Sequence, residues 1–159
     1  MSMRNPAPPV APMPLFERLQ DDAPFVSYEP QVRRTLSADE LRGSVRAELM
    51  RLLNTRRGAA RDGRPLDVLY YGLPDWSASS AARAADRAAL ERDVVEAVRA
   101  FEPRLLQPRA QIETDPDVPW RLQLRITGSL ADGDGMTRVA YVAQLVDGQP
   151  VGLVDERLA

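Results

Sequence analysis

"AVRAFEPRL", residues 97–105, decides the fold of this 159-residue chain. It closes a stripe in which Leu90, Val94, Ala97, Val98 and Phe101 recur at helical spacing, the pattern of a helix with one face in a core. Arg87, Glu91, Arg92, Glu96 and Arg99 occupy the other faces, as a solvated surface requires. Pro103 pushes the residue before it out of the α region, which predicts a helix end at Glu102. Beyond the proline the hydrophobic period drops from about 3.6 to two. Helix thus turns into sheet at one corner, with Glu102 and Arg104 on either side of its proline.

Downstream, "LLQPRAQIET" reads as a strand interrupted by Pro108. "WRLQLRITGSL" sets Trp120, Leu122, Leu124, Ile126 and Leu130 against Arg121, Gln123, Arg125, Thr127 and Ser129, the alternation of a half-buried antiparallel strand. "ADGDG" is a hairpin loop, since Asp132 and Asp134 lack the further ligands and closing glutamate of a calcium loop. "TRVAYVAQLV", a "DGQP" turn and "VGLVDERL" follow. In the first of these Val139, Tyr141, Ala143 and Leu145 point one way, and Ala140, Val142 and Val146 the other. An apolar strand with two such sides needs cover on both. The chain's own helices are expected to supply it, and failing them another protein.

Upstream, "SADELRGSVRAELMRLLNTRRG" opens with Ser37 and Glu40 at capping-box spacing. Leu41, Val45, Leu49, Leu52 and Leu53 make a second helical stripe, with Asn54 or Gly58 as its stop. Gly43 weakens this helix by about 1 kcal/mol relative to alanine; a close helix crossing or simple tolerance accounts for it. Arg56, Arg57, Arg61 and Arg64 crowd the next loop. They meet an acidic partner or phosphate there, or they are solvated cations favoured by the helix dipole. "LDVLYYGLPDWS" reads as a short strand from Leu66 to Tyr71, cut by the turn residues Gly72 and Pro74. "MSMRNPAPPVAPMP" holds five prolines and forms an extended arm over residues 1–14, either a plain tail or a segment that orders on a partner. Leu15, Phe16 and Leu19 of "LFERL" share a face of a short helix suited to docking. Residues 15–159 then form one domain of α+β class: two main amphipathic helices followed by a C-terminal antiparallel sheet.

Composition removes whole classes of chemistry. Every one of the 21 basic residues is arginine, and cysteine and histidine are absent. Without lysine there is no Schiff base and no phosphate-loop lysine. Without cysteine or histidine there are no disulfides, thiol nucleophiles, imidazole triads or Cys/His zinc sites. A formal charge of −2 argues against a general nucleic-acid binder. The N-terminus lacks the basic segment and apolar core of a signal peptide, and no run approaches the ~18 apolar residues of a membrane helix. The expectation is a soluble chain, not exported by the general route.

Carboxylates are the remaining acid–base groups, so glycoside hydrolysis is the chemistry to weigh. Glu102, Glu113, Asp115 and Asp117 are its candidates by position. A glycosidase acid needs a raised pKa, whereas a guanidinium as near as Arg104 is to Glu102 lowers one. "ETDPD" reads as a solvated loop.

"LFERL" (15–19), "LRGSVRAELMRLLNTRRG" (41–58), "YGLPDWS" (71–77) and "FEPRL" (101–105), in that order and followed by a strand-rich C-terminus, resemble the phage gene-25-like baseplate wedge family, often labelled lysozyme-like. Within it they resemble the TssE-type branch of type VI secretion. The resemblance implies a non-enzymatic adaptor in the cytoplasmic baseplate of a contractile injection machine docked at the inner membrane. Its implied partners are other wedge subunits, of TssF, TssG and TssK type, and sheath subunits of TssB and TssC type. It would template the first sheath ring by strand sharing. No cofactor, metal, nucleic acid, membrane insertion or small-molecule substrate is implied. A phage-like or extracellular contractile particle is the nearest alternative, and a peptidoglycan-cleaving enzyme the alternative of different class. Carried over from the family, Glu102, Pro103 and Arg104 are expected to contact the wedge core; an internal clasp is the competing reading of the two charges. Val139, Tyr141, Leu145, Val151 and Leu153 are expected on the sheath-facing strands, and Leu15, Phe16 and Leu19 at an N-terminal docking face.

Overall fold

The two stripes form helices where the spacing puts them. The structure, a computed structural model, describes residues 11–19, 24, 25, 27, 35–58, 67–75, 83–118, 121–133, 135–146 and 149–156. Residues 1–10 of the arm, the Phe16 side chain, Arg61, Arg64, Leu66, Trp120 and Asp134 lie outside the described residues. Helix α2 spans Ala38–Asn54, and α3 spans Ala84–Phe101 with Glu102 at its C-cap. At the start of α2 the Ser37 backbone N–H and hydroxyl both donate to the Glu40 carboxylate, at 2.8 and 2.9 Å. Leu41, Val45, Leu49, Leu52 and Leu53 are buried. Gly43 has nothing near the place a Cβ would take, so no close crossing explains it and open space does.

After the corner, β3 (Leu106–Thr114), β4 (Leu122–Asp132), β5 (Gly135–Leu145) and β6 (Leu153–Glu156) form an antiparallel sheet in the order β3-β4-β5-β6. Register pairs Ala110 with Ile126, Ile126 with Tyr141, and Ala143 with Leu153, so the apolar halves of the alternation fall on one face. That face shares a single core with α2 and α3 through Leu124, Ile126, Leu130, Val139, Tyr141, Ala143 and Leu153. Pro108 is accommodated because β3 is an edge strand whose register shifts between Leu106 and Arg109, and a proline is tolerated at such a bulge. Gly128 is required by packing: a Cβ there would sit 2.6 Å from Leu105 Cδ1.

Two expectations are corrected. Residues 68–70 are a one-turn 3-10 helix rather than a strand. The Asp67 carboxylate accepts from Leu69 N–H at 2.9 Å, a local bond that competes with strand pairing. Val68 and Leu69 consequently stand exposed. Among the described residues, helices α2 and α3 also cover only one side of β5. Val139, Tyr141 and Ala143 face the helical core, whereas Val142 is half-buried on the outward face and Val146 and Val154 are exposed. Ala140 is fully buried on that outward face, in register with Thr127 and Glu156.

The N-terminal segment meets α2, where Ser44 bonds Glu17. Strand β1 (Ala11–Pro12) pairs with β2 (Thr35–Leu36), and α1 spans Leu15–Leu19. No helix among the described residues is long and apolar enough to cross a membrane.

Candidate functional site

The corner between α3 and β3 builds the site. Glu102 is 1% exposed, an environment a carboxylate tolerates only when paired. Arg104 supplies the pair in fork geometry, Nε to Oε1 at 2.7 Å and Nη2 to Oε2 at 2.5 Å. Its backbone N–H also reaches Oε1, at 3.2 Å. The remaining guanidinium nitrogen, Nη1, donates to Ser44 Oγ on α2 at 2.7 Å, and the Ser44 hydroxyl donates in turn to Glu17 on α1. Burial works against the Arg104 charge, but the hydrogen bonds and field of Glu102, with Glu17 and Glu48 farther off, outweigh it and raise the pKa above its ordinary value. The proline fixes the turn, and the clasp ties α2 and, through Ser44, α1 to it.

Beside the clasp lies a groove of about 1080 Å³. Phe101, Pro103 and Arg104 line it from the corner, Glu48 and Arg51 from α2, Tyr71 from the loop, and Pro12 to Pro14 from the arm. Tyr71 packs edge-on against Phe101 with ring centroids 5.1 Å apart and donates its hydroxyl to Glu48 at 2.7 Å. Burial, then the Glu48 bond, pushes the Tyr71 phenol upward. Gly72, at φ 102°, lets the following Leu73 dock on the end of α2, where Leu73 N–H donates to Thr55 O and Arg57 N–H to Leu73 O. The "LLNTRRG" and "YGLPD" stretches therefore meet.

The sequence-expected residues divide sharply by exposure. Glu102 faces inward, so the internal clasp describes it; Pro103 is exposed and Arg104 keeps a partly exposed rim. Val139, Tyr141, Val151 and Leu153 are buried in the helix-facing core and Leu145 is packed against it. Tyr141 donates its hydroxyl to the Arg42 carbonyl at 3.1 Å. Leu15 and Leu19 are exposed on α1. Ser44, Glu48, Tyr71 and Glu17 belong to the site and were not singled out from sequence. Ser44 and Glu48 carried a signal: they fall three and seven residues after Leu41, on the core-facing side of the stripe.

Of the acids weighed for glycoside chemistry, the carboxylates of Glu102, Glu113 and Asp115 are structurally engaged. Arg125 donates to Glu113 at 2.6 Å and lowers its pKa, opposite to what a general acid needs. Asp115 is buried and accepts from the Asp117 N–H at 2.9 Å.

The sheet has two unequal edges. At β3, the outward amide of Ile112 donates to Glu91 of α3 at 2.7 Å. At β6, no strand pairs with the outer side among the described residues. Strand β6 is held by Arg42 to Asp155 at 2.5 Å, by Arg125 to Glu156, and by Asn54, whose side chain bonds both the N–H and C=O of Val151 at 2.7 and 2.9 Å.

No curated protein matches the chain. The model of the family baseplate wedge protein gp25 matches residues 39–134, more than half of the sequence, from α2 through the corner to the end of β4. With the wedge-like order of helices, corner and sheet already in place, that match shows that the chain belongs to the gp25 baseplate wedge family, a family of structural baseplate proteins.

Proposed function

We propose that this chain is the adaptor of a type VI secretion baseplate of TssE type. It joins wedge subunits of TssF, TssG and TssK type to the first ring of a contractile sheath of TssB and TssC type, in the cytoplasm at the inner membrane. The observation that carries the reading is the inequality of the sheet edges: Glu91 of α3 occupies the Ile112 amide at the β3 edge, while no strand among the described residues lies on the outer side of β6. An open strand edge is a template for a further strand, with main-chain bonds supplying the attraction. On this reading Val139, Tyr141, Leu145, Val151 and Leu153 act from inside, fixing β5 and β6 in the register that a sheath strand extends.

The wedge contact is assigned to the corner groove. Pro103 and the exposed rim of Arg104 offer the contact, and Glu102 holds the guanidinium in place; preorganised charge loses less entropy on binding. Leu15 and Leu19, with Phe16, extend the docking face along α1. The test is reconstitution with wedge and sheath subunits. Sheath rings are expected only when the chain is present, and a chain lacking residues 150–159 is expected to bind wedge partners without starting a sheath. Rings that form without the chain, or equally well on a folded truncated form, contradict the proposal.

A further inference from the structure

We propose that the outward face of the sheet carries a separate seat for an acidic segment of a partner protein, built by Arg109 and Arg138. The two arginines line a concavity of about 280 Å³ with Gln107, Thr127, Gly128, Ser129 and the backbone side of Val139. Register explains the convergence: Arg109 on β3 lies opposite Thr127, and Arg138 on β5 lies opposite Ser129. Alternation along β4 puts both hydroxyls on the outward face, between the two guanidinium groups. The bulge sets the rim, where Gln107 adopts φ 50°, a conformation uncommon outside glycine.

The charge at this place is unanswered. Among the described residues the lining contains no carboxylate, and neither the Arg109 nor the Arg138 guanidinium has an ion-pair or hydrogen-bond partner there. Arg42, Arg57, Arg104, Arg121 and Arg125 are all paired with acids of the chain. Two forks and two hydroxyls fit carboxylates, each fork taking one bidentately. The arginine backbones are two strands and two residues apart, a span of roughly 12 Å that the two long side chains close. An extended acidic segment places carboxylates on alternate residues roughly 7 Å apart, within that reach.

A polyphosphate chain is a poorer fit. The chain is net negative, and the same outward face carries Glu113 and Glu156 about Arg125, so two spaced carboxylates meet less repulsion than a continuous run of phosphates. The baseplate reading enters only as the source of the segment, a neighbouring subunit.

The experiment uses the full chain and three probes: a short peptide alternating glutamate and threonine, its glutamine counterpart, and inorganic phosphate. The glutamate peptide is expected to shift the guanidinium NMR signals of Arg109 and Arg138 and the amides of Thr127 and Ser129. The glutamine peptide is expected to leave them in place. The double variant R109Q/R138Q is expected to lose affinity by about tenfold or more, as removal of two charge-assisted contacts implies, with its melting temperature unchanged because both side chains are exposed. Absent shifts, equal binding of the two peptides, or phosphate acting as well as the peptide each overturn the assignment, the last leaving a simple anion patch. If the variant misfolds, the two peptides on the native chain decide alone. No baseplate protein is in the tube, so failure here leaves the adaptor reading standing, and failed reconstitution leaves this site standing.

Discussion

The two edges of the sheet, nine-residue β3 and four-residue β6, are held in different ways. At β3 a whole helix lies alongside, Glu91 occupies the free amide of Ile112, and the strand begins at a corner whose ion pair is buried. At β6 the side-chain fastenings are the Arg42–Asp155 pair, 15% and 26% exposed, and the more exposed Arg125–Glu156 pair, with Asn54 holding Val151 just before the strand. Buried, hydrogen-bonded charge is costly to disturb, while exposed pairs are worth little. The sheet therefore has a helix side chain on one edge and, among the described residues, no strand beyond the other, where a further strand can add.

Substitutions on the two sides should differ accordingly. R104A leaves Glu102 buried without its partner and is expected to lower stability by about 3–5 kcal/mol, read by denaturant unfolding; a loss no larger than that of a surface pair would break the contrast. E91A uncovers the Ile112 amide and removes a charged acceptor, an expected loss of about 1.5–3 kcal/mol, with faster exchange at that amide alone. R125Q acts on the open side, where Glu113 and Glu156 are each more than two-fifths exposed, and should cost only about 0.2–1 kcal/mol, less at high salt. Acid gives the smallest effect. The Arg125 hydrogen bond lowers the Glu113 pKa from its ordinary 4.5. Its contribution is thus complete above that value and fades as pH falls through the lowered one, with solvent screening keeping it within the range of exposed pairs. A melting series downward from pH 6 in native and R125Q chains isolates it as the part that R125Q lacks.

What sequence made legible follows from which forces act locally. The stripe from Leu41 to Leu53 and the alternation from Leu122 to Leu130 reach the structure intact, because burial of one face dictates their period. The helix end at Phe101 follows from Pro103. The run before Tyr71 has the composition of a strand and forms a 3-10 turn instead, because the Asp67 side chain supplies a closer partner than any neighbouring strand. Glu102 is the instructive residue. Its spacing from Arg104 announced a pair, but the clasp is completed by Ser44, which lies 60 residues from Arg104 in the chain, a distance over which no periodicity carries. The open outward face was hidden for a related reason: both sides of β5 read as apolar, and only the packing of α2 and α3 against a single face settles which side they cover.

The most direct test of the account is hydrogen exchange at β6 before and after sheath subunits are added to the chain. The account predicts rapid exchange at the outward amides of residues 153–156 in the isolated protein and strong protection in the complex, with Ile112 protected in both. Protection of β6 already complete in isolation, or unchanged by the sheath, would contradict it.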